Sequence, residues 1–390
     1  MLQRLIHSAR VNVFESARFY YWVLWTLIIY SFFREIIEKF VLVFLERNIK
    51  LPKEIMGFFF FIFCLSVFFS IWILKKKVER QYIVFIIGIG LLSLINEIRF
   101  VLASINYSLY ESLLGGQGHY VVKIVFPIMF LSIWGILDYE KKFTIIFIKN
   151  LRFIFLINAA VIIVFGVIMG GDIVESYPLS GRWGYCGFLL NRVETQLIYG
   201  LLLIKKFNNI NRLSWESLVY LICLLVSGQK AGLLWAFFFF FILYFKGRER
   251  VLFGATGIAL GALSLKIIPI LSLKSVFWRM TLQEHGLWGL VFSTRNELVE
   301  NFYQNIINPE IIDFLIGGQT RFPADTEILP IDLYLFFGVI GASIFIYFCT
   351  WWINSWRWSI PLLIACFAGG LFGYINMTLI FGVFLFSEKT

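Results

Sequence analysis

"FFFFIFCLSVFFSIWIL", Phe58–Leu74, carries no charged residue and no proline or glycine. Its length approaches the roughly 20 apolar residues that cross a bilayer as one helix. A strand of a membrane barrel would alternate apolar and polar positions over about 10 residues, and this stretch does not alternate. Runs of the same character recur along the 390 residues, of which 60% are hydrophobic and 15% charged. Soluble domains average about 45–50% apolar and about 25% charged. The chain therefore reads as all-α: a polytopic transmembrane helix bundle of 11–12 spans.

Breaking the apolar runs at charged or Pro/Gly stretches predicts helices over 19–45, 55–74, 81–104, 120–138, 151–169, 186–204, 214–227, 230–245, 251–271, 329–349 and 359–385. The first holds Arg34, Glu35, Glu38 and Lys39, which suits a shorter span plus an interfacial turn. The last contains "FAGGLFGYINMT" and is read as one span or as two short helices. Residues 1–390 form a single integral membrane domain on this reading, with no internal repeat. "MLQRLIHSARVNVFESARF" (1–19) lacks the apolar centre of a cleavable signal and suits a basic helix lying on the membrane face.

Basic residues in short loops mark the cytoplasmic side. "KKKVER" (75–80), "DYEKKF" (138–143), "KKFNNINR" (205–212), "KGRER" (246–250) and "WRW" (356–358) fall in alternate loops, and with the N-terminus share one side. The net charge of +10 is thereby spent on topology rather than on nucleic acid. The remaining loops face outward, among them the turn "SGQK" (227–230) and a long loop, 272–328, expected to contain short helices. A connection of that length is usually functional. The inner loops hold no Gly-rich nucleotide motif.

The polar residues that need explaining lie outside. Arg182, Arg192, Lys230, Arg279, Arg295 and Arg321 are outward cations, and arginine's planar fork suits phosphate. The plain alternative is snorkelling to lipid headgroups. In "RFPADTEILPIDLYLFFG" (321–338), Glu327 and Asp332 flank a helix start that Pro330 favours. Each is read as a general base or as a partner of the positive helix end or of an arginine. Arg99, Lys123, Asn191 and Glu194 lie toward outer helix ends, lining a cavity or pairing between helices. Five cysteines and three histidines, His7, His119 and His285, show no metal-ligand spacing. The cysteines read as packing residues, and no metal or other cofactor is expected.

Four stretches in this order resemble one family. "GRWGYCGFLLNRVETQLIYGLLL" (181–203) is similar to the R-x-x-G…N pattern opening a helix in the O-antigen polymerase and ligase superfamily. "LLVSGQKAGLLWAF" (224–237) resembles its S-x-R/K turn, and "FSTRNELVENFYQNIINPEIIDFLIGGQ" (292–319) its outer loop. "TEILPIDLYLFFGVIGASIF" (326–345) resembles its E-x-x-x-x-D helix start. The resemblance covers about half the chain, 181–349. It implies a GT-C-like glycosyltransferase of the Wzy type in the bacterial inner membrane. Such an enzyme joins undecaprenyl-diphosphate-linked oligosaccharides at the periplasmic face, with membrane lipids and a Wzz-type chain-length regulator as partners. Carried onto this chain, it implies a diphosphate clamp of Arg182, Arg192, Lys230, Arg295 and Arg321. Glu327 or Asp332 would be the base in an inverting, metal-independent transfer. Two departures stand out. Lys230 replaces a more usual arginine, and His285 precedes Arg295 with no histidine after it, unlike the ligase branch. A ligase, a flippase and a non-catalytic assembly subunit are the competing expectations.

Overall fold

The structure is a computed structural model describing residues 2–46, 64–65, 68, 78–103, 117–138, 140–176, 178, 184–210, 212–272, 276–292, 295–318, 328–353, 355–368, 371–372 and 374–388. The expected helix 55–74 falls outside the described residues except for Cys64, Leu65 and Phe68. The molecule is all-helical, with 85% helix and no strands among the described residues.

The first half comprises α1 (Leu2–Leu45), α2 (Arg80–Ala103), α3 (Gln117–Leu137) and α4 (Lys142–Val161). A wider π-type turn, Ile162–Ile168, continues α4. Then come α5 (Arg192–Ile210), α6 (Trp215–Val226), α7 (Lys230–Phe238) and α8 (Gly247–Ser272). The long loop folds into α9 (Val276–Phe292), α10 (Arg295–Glu300), α11 (Tyr303–Ile307) and α12 (Ile311–Ile316). The chain ends with α13 (Leu329–Trp352), α14 (Ile360–Ala368) and α15 (Ile375–Glu388).

Local chemistry sets several boundaries. Asp138 accepts from the backbone N–H groups of Phe143 (3.1 Å) and Thr144 (2.7 Å), the first donors of α4. Ser214 caps α6 by accepting from the Ser217 N–H. Pro330 occupies the first turn of α13, where its missing N–H costs nothing. By contrast, α1 does not break at its charged turn. It runs as one helix of 44 residues, because Arg34, Glu35 and Lys39 are buried against protein rather than lying at a water interface.

Among the described residues, three helical segments are long and apolar enough to cross a membrane: Arg80–Arg99, Lys142–Ile168 and Leu329–Trp352. Their outer faces are apolar as well, with Leu94, Phe153, Ile168 and Ile346 all exposed. Soluble monomers rarely expose contiguous apolar patches beyond a few hundred Å². Small residues draw these helices together. A side chain at Gly88 would meet Ile344 at 2.8 Å, so α2 and α13 approach closely there.

The two alternatives for 359–385 resolve into two short helices. α15 is sheathed on all sides, with every residue from Met377 to Leu385 buried, and it packs against α3, α4 and α5. Lys205 pairs with Glu388 at its far end, and Arg357 donates to Asn208 at 2.9 Å just before α14. Both ends of this hairpin thus sit at the same end of α5. Helices of 9 and 14 residues rise ~14 and ~21 Å, each short of the ~30 Å hydrocarbon core.

Candidate functional site

Two polar junctions stand out, both at the helix ends away from Lys205 and Lys206. The first gathers residues 172–176 and 184–191, α1, α4, α5 and the 227–229 turn. Gly184 has φ +146, and a side chain there would lie 2.3 Å from the Ser227 carbonyl. The Tyr185 N–H donates to the Val226 carbonyl (2.8 Å), and the Ser176 hydroxyl to that of Ser227 (2.8 Å). Gln196, one turn into α5, donates to the Ser227 hydroxyl at 2.6 Å. The segment opening α5 and the turn opening α7 are therefore locked face to face.

Below this contact, the charged turn of α1 reaches into the same loop. Lys39 donates to the Gly187 carbonyl (2.5 Å) and lies 3.3 Å from the Cys186 sulfur. Glu35 stands 4.0 Å from both Lys39 and Arg34, and Glu38 is 3.7 Å from Arg34. Charge buried in a low-dielectric interior must be neutralised, and these four alternate in sign. Asn158 of α4 donates to the Cys186 carbonyl (3.3 Å) and the Tyr199 hydroxyl (3.0 Å). The Arg34–Lys39 turn, expected at the interface, is instead buried, and Asn158 and Gln196 carry no sequence pattern that marks them. A charged turn followed by more apolar chain was the available signal.

The second junction joins α2, α12 and α13. Gly338 has φ +61, which breaks α13 within its span. The break leaves carbonyls without helical donors. The Gly318 N–H donates to those of Leu335 (3.1 Å) and Phe336 (3.2 Å). Asn96 donates to the Phe336 (3.0 Å) and Ile316 (2.8 Å) carbonyls at once. Arg99 donates to the Gly317 carbonyl (2.9 Å) and pairs with Asp313. Gly338 in turn lets the Leu315–Ile316 backbone come close, since a side chain there would sit 2.5 Å from it.

The expected site residues divide as follows. Arg192, Lys230 and Arg295 are the first residues of α5, α7 and α10. Arg192 is exposed and the other two half-buried. Arg279 is exposed on α9, and Lys123 is half-buried on α3. Asp332 occupies the first turn of α13, half-buried, where its charge favours the positive helix end. Asn191 caps α5: its Oδ1 accepts from the N–H groups of Val193 and Glu194 (3.0 Å each), and its amide donates to the buried Glu194 carboxylate at 2.9 Å. That pair completes a helix start. Arg99 belongs to the second junction, together with Asn96 and Asp313, neither of which the sequence reading singled out. Arg182, Arg321, Glu327 and Asp325 lie outside the described residues.

His285 bonds Glu297 across the start of the long loop. Among the described residues no group of three or more His, Cys, Asp or Glu side chains is placed to hold a metal ion. Four cysteines are buried and Cys366 is half-buried, all as free thiols. Comparison with protein-family models, curated proteins and solved structures finds no match in any of the three.

Proposed function

We propose that the chain is a polytopic inner-membrane glycosyltransferase that polymerises undecaprenyl-diphosphate-linked oligosaccharide units at the periplasmic face. One observation carries the reading. Arg192 and Lys230 each open a helix, and those two helix starts are held together through Gln196 and Ser227. Two cations beside two positive helix ends favour a bound anion. The resemblance supports the assignment independently, because its first two stretches meet at the first junction and its last two at the second.

In this mechanism Arg192 and Lys230, with Arg182, Arg295 and Arg321, hold the donor diphosphate and stabilise it as it leaves. Asp332 or Glu327 removes the proton from the acceptor hydroxyl. The acceptor oxygen attacks the anomeric carbon opposite the diphosphate, inverting its configuration.

Purified protein in nanodiscs, given a lipid-linked repeat unit, tests this directly. Chain growth is expected, and it should fall at least tenfold in Arg182→Ala, Arg295→Ala and Asp332→Asn at matched folding. Long polymer persisting in all three would overturn the site. A transporter reading draws on the buried charges of α1 and the half-length helices α14 and α15, features that line transport pathways elsewhere. It expects lipid-linked units to cross the bilayer with no chain growth.

A further inference from the structure

We infer that α12 is a re-entrant helix immersed in the outer leaflet, with Ile311, Ile312, Phe314 and Leu315 in contact with bilayer acyl chains. The inference rests on the membrane reading of α2 and α13, and is independent of any catalytic role.

Depth carries the first part. Gly338 lies nine residues inside α13, and the backbone of Leu315 and Ile316 packs against it. At 1.5 Å per residue that point is ~13 Å below the start of α13. Asn96, which binds the Ile316 carbonyl, lies ~10 Å below the end of α2 at Ala103 by the same rise. Arg99, one turn higher, pairs with Asp313. Two helices thus independently place α12 descending from Asp313 to Ile316 within the outer half of the spans rather than above them.

Polarity carries the second part. On a helix of six residues, Ile311 is 79% exposed, Ile312 54%, Phe314 45% and Leu315 41%. Its one carboxylate, Asp313, turns inward to Arg99, and exposed Glu310 precedes it at the shallow end. The helices that hold α12 are apolar on their own exposed faces beside the holding residues, with Ile95 and Ile98 flanking Asn96 on α2 and Val339 and Ile340 following Gly338 on α13. The backbone condition is also met. Irregular chain at membrane depth must have its polar groups satisfied by protein. The Gly317 and Ile316 carbonyls and the Gly318 N–H are bonded by Arg99, Asn96 and α13.

Spin labels on Ile312→Cys and Leu315→Cys in vesicles of phosphatidylethanolamine and phosphatidylglycerol test this. Leu94→Cys on α2 and Glu310→Cys serve as references. Labelled wild type gives the background from native thiols. The readout is collision with oxygen, which concentrates in hydrocarbon, against a water-soluble nickel chelate. Labels at 312 and 315 should favour oxygen as at 94, with 310 shifted at least threefold toward nickel. Nickel preference at 312 and 315 with oxygen preference at 94 would overturn the inference alone. Nickel preference at 94 as well would overturn the membrane reading itself. A label at 312 shielded from both reagents would mark a protein partner or second copy and also overturn it. Unsubstituted protein photolabelled by a phosphatidylcholine with a diazirine in its acyl chain should carry the adduct within 311–315. Absence of adduct there, alongside labelling of α2, counts against the proposal.

Discussion

Glu175 lies half-buried just before the described stretch 184–191, its pKa raised first by burial and second by the nearby charge of Asp172. The folded protein therefore holds this proton more tightly than the unfolded chain. The resulting stability is full below the unfolded carboxylate pKa of about 4.3 and is lost as pH rises through the folded value. Thermal unfolding in detergent from pH 4 to 7 should show that decline, and Glu175→Gln should flatten it. An unchanged slope would remove Glu175 as its source. Gly184 makes a sharper case. A methyl group there meets the Ser227 carbonyl at 2.3 Å with φ at +146, so Gly184→Ala combines backbone strain with a clash. It should cost about 2 kcal/mol or more, whereas Gly90→Ala, with open space around it, should be close to neutral. At this scale the sequence was partly legible. Asn191 and Glu194 were visible as polar residues at an outer helix end, yet their spacing, three apart, was that of a capping pair. Asn96 was harder to see, because its value lies in two carbonyls over 200 residues away.

At the scale of elements, α12 is held in the break of α13 by side chains from a third helix. Arg99 and Asp313 are about a third and a fifth exposed, so screening weakens their attraction but does not abolish it. A double-mutant cycle, Arg99→Ala with Asp313→Ala, should give a coupling of about 0.5–3 kcal/mol in thermal or denaturant unfolding. Additive effects would mean the pair is incidental. Asn96→Ala should cost about 1–3 kcal/mol, more than Arg99→Ala, since it takes the side-chain donor from the half-buried Ile316 carbonyl and leaves the buried Phe336 carbonyl only the Gly318 N–H. Helix spans were the most readable feature. The expected 81–104 is observed as Arg80–Ala103, and 329–349 as Leu329–Trp352, because long runs dominated by apolar residues admit little else. The break at Gly338 was not readable, since a lone glycine in an apolar helix is tolerated without one. Only the approach of the Leu315–Ile316 backbone fixes it there.

For the whole molecule, the sidedness of the last two helices decides the topology. One long span and two short helices over 359–385 are equally compatible with the residues, because "GG" and "NMT" interrupt the run without adding charge. The packing supplies it: Arg357 meets Asn208 before α14, and Glu388 meets Lys205 after α15. A hairpin whose ends both lie beside 205–212 enters and leaves from the side bearing the basic loops. On the proposed topology that side would be cytoplasmic, and the hairpin would add no crossing. A green fluorescent protein fused after Glu388 should therefore fluoresce, while alkaline phosphatase fused there should be inactive. Phosphatase inserted at Gly228, at the opposite end of α6, should be active. An active phosphatase after Glu388 would require α14 and α15 together to form one crossing, and so would break the Lys205–Glu388 contact on which this arrangement depends.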